Sequence, residues 1–240
     1  MLILILSILA LGLLTCWGVY AYLGRSLDLS VKSIEHLTGD LFLIHLTKPE
    51  HLVWEPGSYA KFVLPDSKES RWLTIASRPT ENELLLLTHN SGSTYKKALT
   101  SLHKGAKIQM SWLTSTLKVN EDASPLVCFA SDVGIAAIRP IITEWAGKRE
   151  LILSHLDKGG LAFDSELVEL AANQELLTYQ TSASLYQSKE QLAQAIDHYS
   201  THATYLLAGQ PDDVEAMKAF LSVKGIDSSQ ILVELFRGLP

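Results

Sequence analysis

The chain has 240 residues, with 20 Lys and Arg against 26 Asp and Glu and a formal net charge of −6. A mildly acidic chain without a basic cluster is not built to bind nucleic acid. Two cysteines exclude a disulfide framework, a cysteine-ligated zinc site and a cysteine-ligated iron–sulfur cluster, and the eight histidines are scattered, with no His-x-x-x-His pair on an expected helix.

Residues 1–24 carry no charged side chain. As a helix such a run is long enough for a hydrocarbon core of about 30 Å, so a transmembrane anchor is expected. Trp17, Tyr20 and Tyr22 cluster at its end, where amphipathic rings favour the membrane interface. A signal peptide is the competing reading, but nothing basic precedes the apolar run. A lipoprotein reading of Leu13-Leu14-Thr15-Cys16 is weaker, because Thr15 is a poor neighbour for a lipidated cysteine. Arg25 and Lys32 follow the run. They predict a single-pass cell-membrane protein whose soluble domains face the cytoplasm.

Residues 26–119 read as short strands with turn signals. The expected strands are 27–37, 41–47, 59–64, 71–77, 83–90 and 107–112, with one short helix at 94–102. Gly39-Asp40, Pro56-Gly57 and Pro65-Asp66 separate them. Such a run predicts a closed six-stranded antiparallel β-barrel. Residues 120–125 are the expected link.

From residue 124 to 240 strands alternate with helices. Strands are expected at 126–130, 150–155, 175–180, 204–207 and 230–235. Helices are expected at 134–147, 164–173, 189–199 and 212–223. That order predicts an α/β domain on a five-stranded parallel sheet.

The chemistry centres on Arg71-Trp72-Leu73-Thr74-Ile75-Ala76-Ser77. On a strand, residues two apart share a face, so a cation, a bulky side chain and a hydroxyl stand close together. The run resembles the flavin-binding Arg-x-Tyr-Ser/Thr signature of the ferredoxin–NADP reductase superfamily. It is also similar to the His-Pro-Phe-Thr-Ile-Ala-Ser form of ferric reductases and NADPH oxidases. Further resemblance lies in Gly92-Ser93-Thr94, Val133-Gly134-Ile135, Gly209-Gln210-Pro211 and the closing Glu234-Leu235-Phe236. It covers nearly everything after residue 26 and implies an FAD-binding barrel followed by an NAD(P)-binding domain.

The resemblance implies roles residue by residue. Arg71 would grip the FAD phosphates; alone it would read as a strand-edge ion pair. Thr74 would be the catalytic hydroxyl near flavin N5, or else an ordinary β-branched strand residue. Leu73 stands where the family has an aromatic ring stacked on the flavin and offers only an apolar face, while Trp72 is expected on the opposite face, in the core or on the barrel surface. Gly92, Ser93 and Thr94 would wrap the second phosphate, a place also suited to plain helix caps. Asp132, Gly134, Gly209 and Phe236 would line the nicotinamide side.

That side departs from the family. Asp132 replaces a glycine where a pyrophosphate would pass, which is electrostatically unfavourable, and Ala208-Gly209-Gln210 lacks the family cysteine. Two functions stay open. One is a membrane-anchored, FAD-dependent oxidoreductase passing electrons from NADH or NADPH to a quinone, a haem or a partner subunit. The other is a tethered flavoprotein, or a flavin-free scaffold subunit, with a degenerate nicotinamide site.

Overall fold

The computed structural model describes the backbone of residues 2–65, 67 and 69–236, and their side chains except those of 2–7 and 21–23. The chain opens with helix α1 (Leu2–Leu23). Among the described residues no helix is long and apolar enough to cross a membrane. The expected span is therefore not established, because only the side chains of 8–20 are described for this helix. Those side chains are exposed, Leu13 and Trp17 among them. Tyr20 meets Trp112 edge-on at a centroid distance of 4.9 Å.

Six strands follow: β1 (Leu27–Thr38), β2 (Leu41–Thr47), β3 (Tyr59–Val63), β4 (Ser70–Thr74), β5 (Glu83–His89) and β6 (Lys107–Thr114). They pair in the order β4-β3-β6-β1-β2-β5. β4 is shorter than the expected strand at 71–77, yet a bridge from Ile75 to Leu86 closes the two edges of the sheet. The bonds Ala76 N–H to the Leu85 carbonyl and Leu85 N–H to Ser77 Oγ reinforce that closure. Helix α2 (Thr94–Thr100) plugs one end of the barrel with buried Tyr95 and Leu99.

Period-two alternation fills the barrel. Ile44 and Leu46, Ala60 and Phe62, Leu73 and Ile75, Leu84 and Leu86 all point into one apolar core. β2 and β5 are apolar on both faces, and their other residues, Leu41, Leu43, Leu85 and Leu87, belong to a second core. That second core continues into the α/β domain, so this barrel wall is also the domain interface.

The second sheet contains β7 (Leu126–Ser131), β8 (Leu151–Leu156), β9 (Leu177–Ser182), β10 (Thr204–Gly209) and β11 (Ile231–Leu235). All pairings are parallel, in the order β11-β10-β7-β8-β9. Helices α3 (Ile135–Trp145) and α4 (Asp164–Asn173) pack between sheet and barrel. Helices α5 (Leu185–Tyr199) and α6 (Pro211–Val223) cover the far face. α5 starts four residues before its expected position, capped by Ser184 Oγ accepting from Gln187 N–H.

Two arginines hold the domains together. Arg149 donates to the carbonyls of Ser124 and Asn120 and pairs with Asp122 at 3.1 Å, fastening the link at 120–125. Arg139 of α3 is buried. It donates to the Ala76 carbonyl (2.8 Å) and pairs with Glu81 (3.0 Å) from the barrel and Glu166 (2.8 Å) from α4. Phe163, in left-handed backbone at φ 62°, holds its ring 4.8 Å below the guanidinium.

Arg139→Leu keeps much of the apolar stem and removes the charge that Glu81 and Glu166 face. The two carboxylates retain some contact with water, so the expected loss is about 1–3 kcal/mol. A lower urea midpoint with an unchanged slope is the expected readout. A midpoint equal to that of the parent would show that Arg139 does not clamp the interface.

Candidate functional site

A cleft of about 560 Å³ opens where β4 of the barrel faces the end of β11. That size suits a cofactor-sized ligand. Its walls divide by chemistry. Arg71 and Lys96 are cationic, Thr74 and Thr116 carry hydroxyls, Tyr59, Trp72 and Phe236 are aromatic, and Glu234 is the acid.

The strand register explains the arrangement. Leu73 shares the interior face with Ile75 and is part of the barrel core, although it borders the cleft. Trp72 and Thr74 therefore take the outward face. Thr74 sits opposite Tyr59 across the β3–β4 ladder. Trp72 is 53% exposed and meets Tyr59 edge-on at 5.5 Å. Trp72 thus takes the barrel-surface place expected for it, on the face opposite Leu73. Alternation sends Leu73 inward, and the aromatic surface comes from Trp72 and Tyr59. The sequence signal for Tyr59 was its place directly after the Pro56-Gly57 turn, opposite the motif strand.

Arg71 emerges at the barrel end. Its guanidinium lies 5.4 Å from the Tyr95 ring centroid and pairs with Glu69 at 3.3 Å, both side chains being half exposed. Lys96, overlooked in the sequence, projects from α2 into the same cleft. Its Nζ donates to Thr88 Oγ1. Burial, with Arg71 adding repulsion, lowers its pKa to about 8. Glu234 is buried and donates nothing; its carboxylate accepts from Thr116 Oγ1. Burial raises its pKa against that bond.

Gly92, Ser93 and Thr94 are exposed and do not line the cleft. Gly92 adopts φ 80°, and Ser93 Oγ accepts from Lys96 N–H, so the segment acts as a helix cap. Gly134 and Gly209 are a pair of close approaches. A Cβ on Gly134 would fall 2.2 Å from the Ala208 carbonyl oxygen, and one on Gly209 would fall 2.3 Å from that of Ser131. They let β7 and β10 turn against each other, and their small size serves backbone packing. Phe236 N–H donates to the Gly209 carbonyl and its ring reaches the cleft.

Asp132 is engaged by partners from the barrel and from its own domain. It holds φ 56° in the turn after β7 and is buried. Its carboxylate faces His89 Nε2 at 2.5 Å and accepts from Gln210 Nε2 at 3.1 Å. The other ring nitrogen of His89 faces Asp40 at 2.6 Å. Asp40, His89 and Asp132 thus form a chain from barrel to α/β domain. A second buried acid, Asp213, accepts from Ser131 Oγ at 2.5 Å and pairs with Lys158 at 3.1 Å. Asp157 accepts from the N–H groups of Gly159 and Gly160. The carboxyl edge of the parallel sheet, where α/β sheets receive dinucleotides, therefore carries two acids already held by neighbouring side chains.

No family model and no curated protein matches the chain. Solved structures do resemble it. A ferredoxin–NADP+ reductase from Neisseria gonorrhoeae, solved with FAD and NADP, superposes with a TM-score of 0.77 at 16% identity, over 88% of this chain and 99% of that one. A cytochrome P450 reductase from Amycolatopsis gives 0.76 at 18% identity, over 88% and 70%. A ferredoxin–NADP+ reductase mutant from Plasmodium falciparum gives 0.74 at 9% identity, over 88% and 96%. The chain has the two-domain ferredoxin–NADP reductase fold.

The hydrogen bond to Asp132 raises the His89 pKa, against burial and with help from Asp40. A histidine whose pKa is raised on folding contributes stability that is complete below its unfolded value of about 6.5. That contribution is lost as pH rises through the folded value. Thermal melts between pH 5.5 and 9 should show this decline in the parent and a flatter profile in His89→Gln. Parallel profiles for the two proteins would rule out the chain from Asp40 to Asp132 as a pH-dependent contact.

Proposed function

We propose that this protein is an FAD-dependent oxidoreductase of the ferredoxin reductase type. The observation that carries the reading is the convergence of Arg71, Lys96, Trp72, Thr74 and Glu234 on one cleft. Two cations suit the phosphates, and Trp72, Tyr59 and Phe236 offer aromatic faces for a flat ring. When bound, the flavin would supply the two-electron to one-electron conversion.

The chain's own residues have definable tasks. Arg71 is permanently charged and presents a planar donor fork to a phosphate. Thr74 offers a hydroxyl beside the ring plane set by Trp72. Glu234, held toward its protonated form by burial, can deliver or hold a proton through Thr116. Arg139 ties the segment after β4 to α3 and α4.

NADH or NADPH is the proposed reductant, bound weakly. The nicotinamide crevice suits such a ligand poorly, since two buried acids, Asp132 and Asp213, stand at the carboxyl edge of the parallel sheet and both glycines face backbone. Those two acids favour a second reading: a tethered flavoprotein subunit reduced by a partner. The proposed acceptor is a quinone, a haem or a partner subunit. We propose attachment to the cell membrane through α1, with the two domains on the cytoplasmic side. Its uncharged sequence and exposed Leu13, Leu14 and Trp17 support that reading.

Detergent-purified protein should be yellow, and Arg71→Ala should lose about one to two orders of magnitude in FAD affinity. Bleaching by NADH or NADPH at millimolar concentration supports the enzyme. A yellow protein inert to both supports the second reading, and a colourless protein that takes up no added FAD sinks the flavin assignment. Separately, the full chain should sediment with membranes, and a chain beginning at Ser26 should not. Full-length protein in the detergent-free soluble fraction would refute attachment through α1.

A further inference from the structure

The cleft contains a cation that the protein leaves without a countercharge. Lys96 Nζ reaches only the neutral hydroxyl of Thr88 among its hydrogen-bond partners. Among the described residues no carboxylate lies within ion-pair distance of it. The charged groups around it are Arg71 on β4, which repels it, and Asp132 after β7, which attracts it from a distance. Asp132 is already engaged by His89 of β5 and by Gln210. Holding a lysine charge in such a place is costly unless something anionic arrives.

The loop at 92–94 is turned away from the cleft. Ser93 Oγ is used by the Lys96 N–H, and Gly92, Ser93 and Thr94 lie outside the cleft walls. We propose that Lys96, together with Arg71, is the ligand for the phosphate groups of the cofactor, and that the loop at 92–94 only caps the helix carrying it. The proposal rests on the flavin reading above and assigns its phosphate subsite to a side chain.

One consequence is a pH signature. An anion beside Lys96 raises the lysine's proton affinity, so binding above pH 8 requires proton uptake. Affinity is constant below that pH and falls above it. Arginine at the same place stays charged and abolishes the dependence.

The test is calorimetric titration of the full chain with FAD, FMN, riboflavin and inorganic pyrophosphate between pH 6.5 and 9.5. The FAD Kd of the parent should rise by up to about tenfold per pH unit above pH 8. Lys96→Met should weaken FAD and FMN about ten- to a hundredfold at pH 7. It should leave riboflavin unchanged and remove the pH dependence. Lys96→Arg should bind FAD as the parent does at pH 7 and stay flat to pH 9.5; it decides the matter if Lys96→Met fails to fold. Undiminished FAD affinity in Lys96→Met, an equal loss for riboflavin, or a pH rise persisting in Lys96→Arg would overturn the assignment. Lys96-dependent pyrophosphate binding without any flavin binding would sink the flavin reading and leave the anion site standing. A parent that binds neither would overturn both.

Discussion

The buried guanidinium of Arg139 is the contact on which the arrangement of this molecule depends. It joins α3 to the Ala76 carbonyl, two residues beyond Thr74, and to Glu81 and Glu166 at once. An arginine taken out of water is tolerable only when several donors find acceptors. Here two carboxylates, a carbonyl and the Phe163 ring share that task. The strand that carries the flavin-type motif is thereby tied to the helix layer of the other domain.

The shared apolar core works in the same direction. Gly57 at φ 79° brings its backbone against α3, where an added Cβ would meet Ile141 at 3.1 Å and the Ala137 carbonyl at 3.3 Å. β2 and β5 bury leucines on both faces. The two domains are therefore packed as one body, with dispersion contacts continuous from barrel to sheet. The cleft, by contrast, concentrates unfavourable electrostatics: a lysine without a countercharge and a buried carboxyl whose pKa burial raises. Such groups are retained where a ligand or a proton transfer makes use of them.

The carboxyl edge of the parallel sheet has a different character. Its acids are satisfied internally, by His89, Gln210, Ser131 and Lys158. A satisfied carboxylate binds a pyrophosphate badly, both by charge and because its donors must first be released. The fold is thus that of a reductase solved with FAD and NADP.

The sequence by itself determined the two-part plan. Short strands separated by turn signals from 27 to 112 and strand–helix alternation from 126 to 235 are local patterns, and local patterns survive in one dimension. The motif at Arg71–Thr74 and the closing Phe236 were legible for the same reason. What only the tertiary structure decided is which neighbours those residues meet. Leu73 joins the barrel core and Trp72 the barrel surface because the barrel interior claims one parity of the strand. Asp132 meets His89, 43 positions away. Lys96 becomes a cleft residue because α2 closes the barrel end beside Arg71. Each outcome depends on side chains far apart in the chain, brought together by burial of apolar surface. Charge and hydrogen-bond pairing are settled by that geometry, and no spacing along the sequence encodes it.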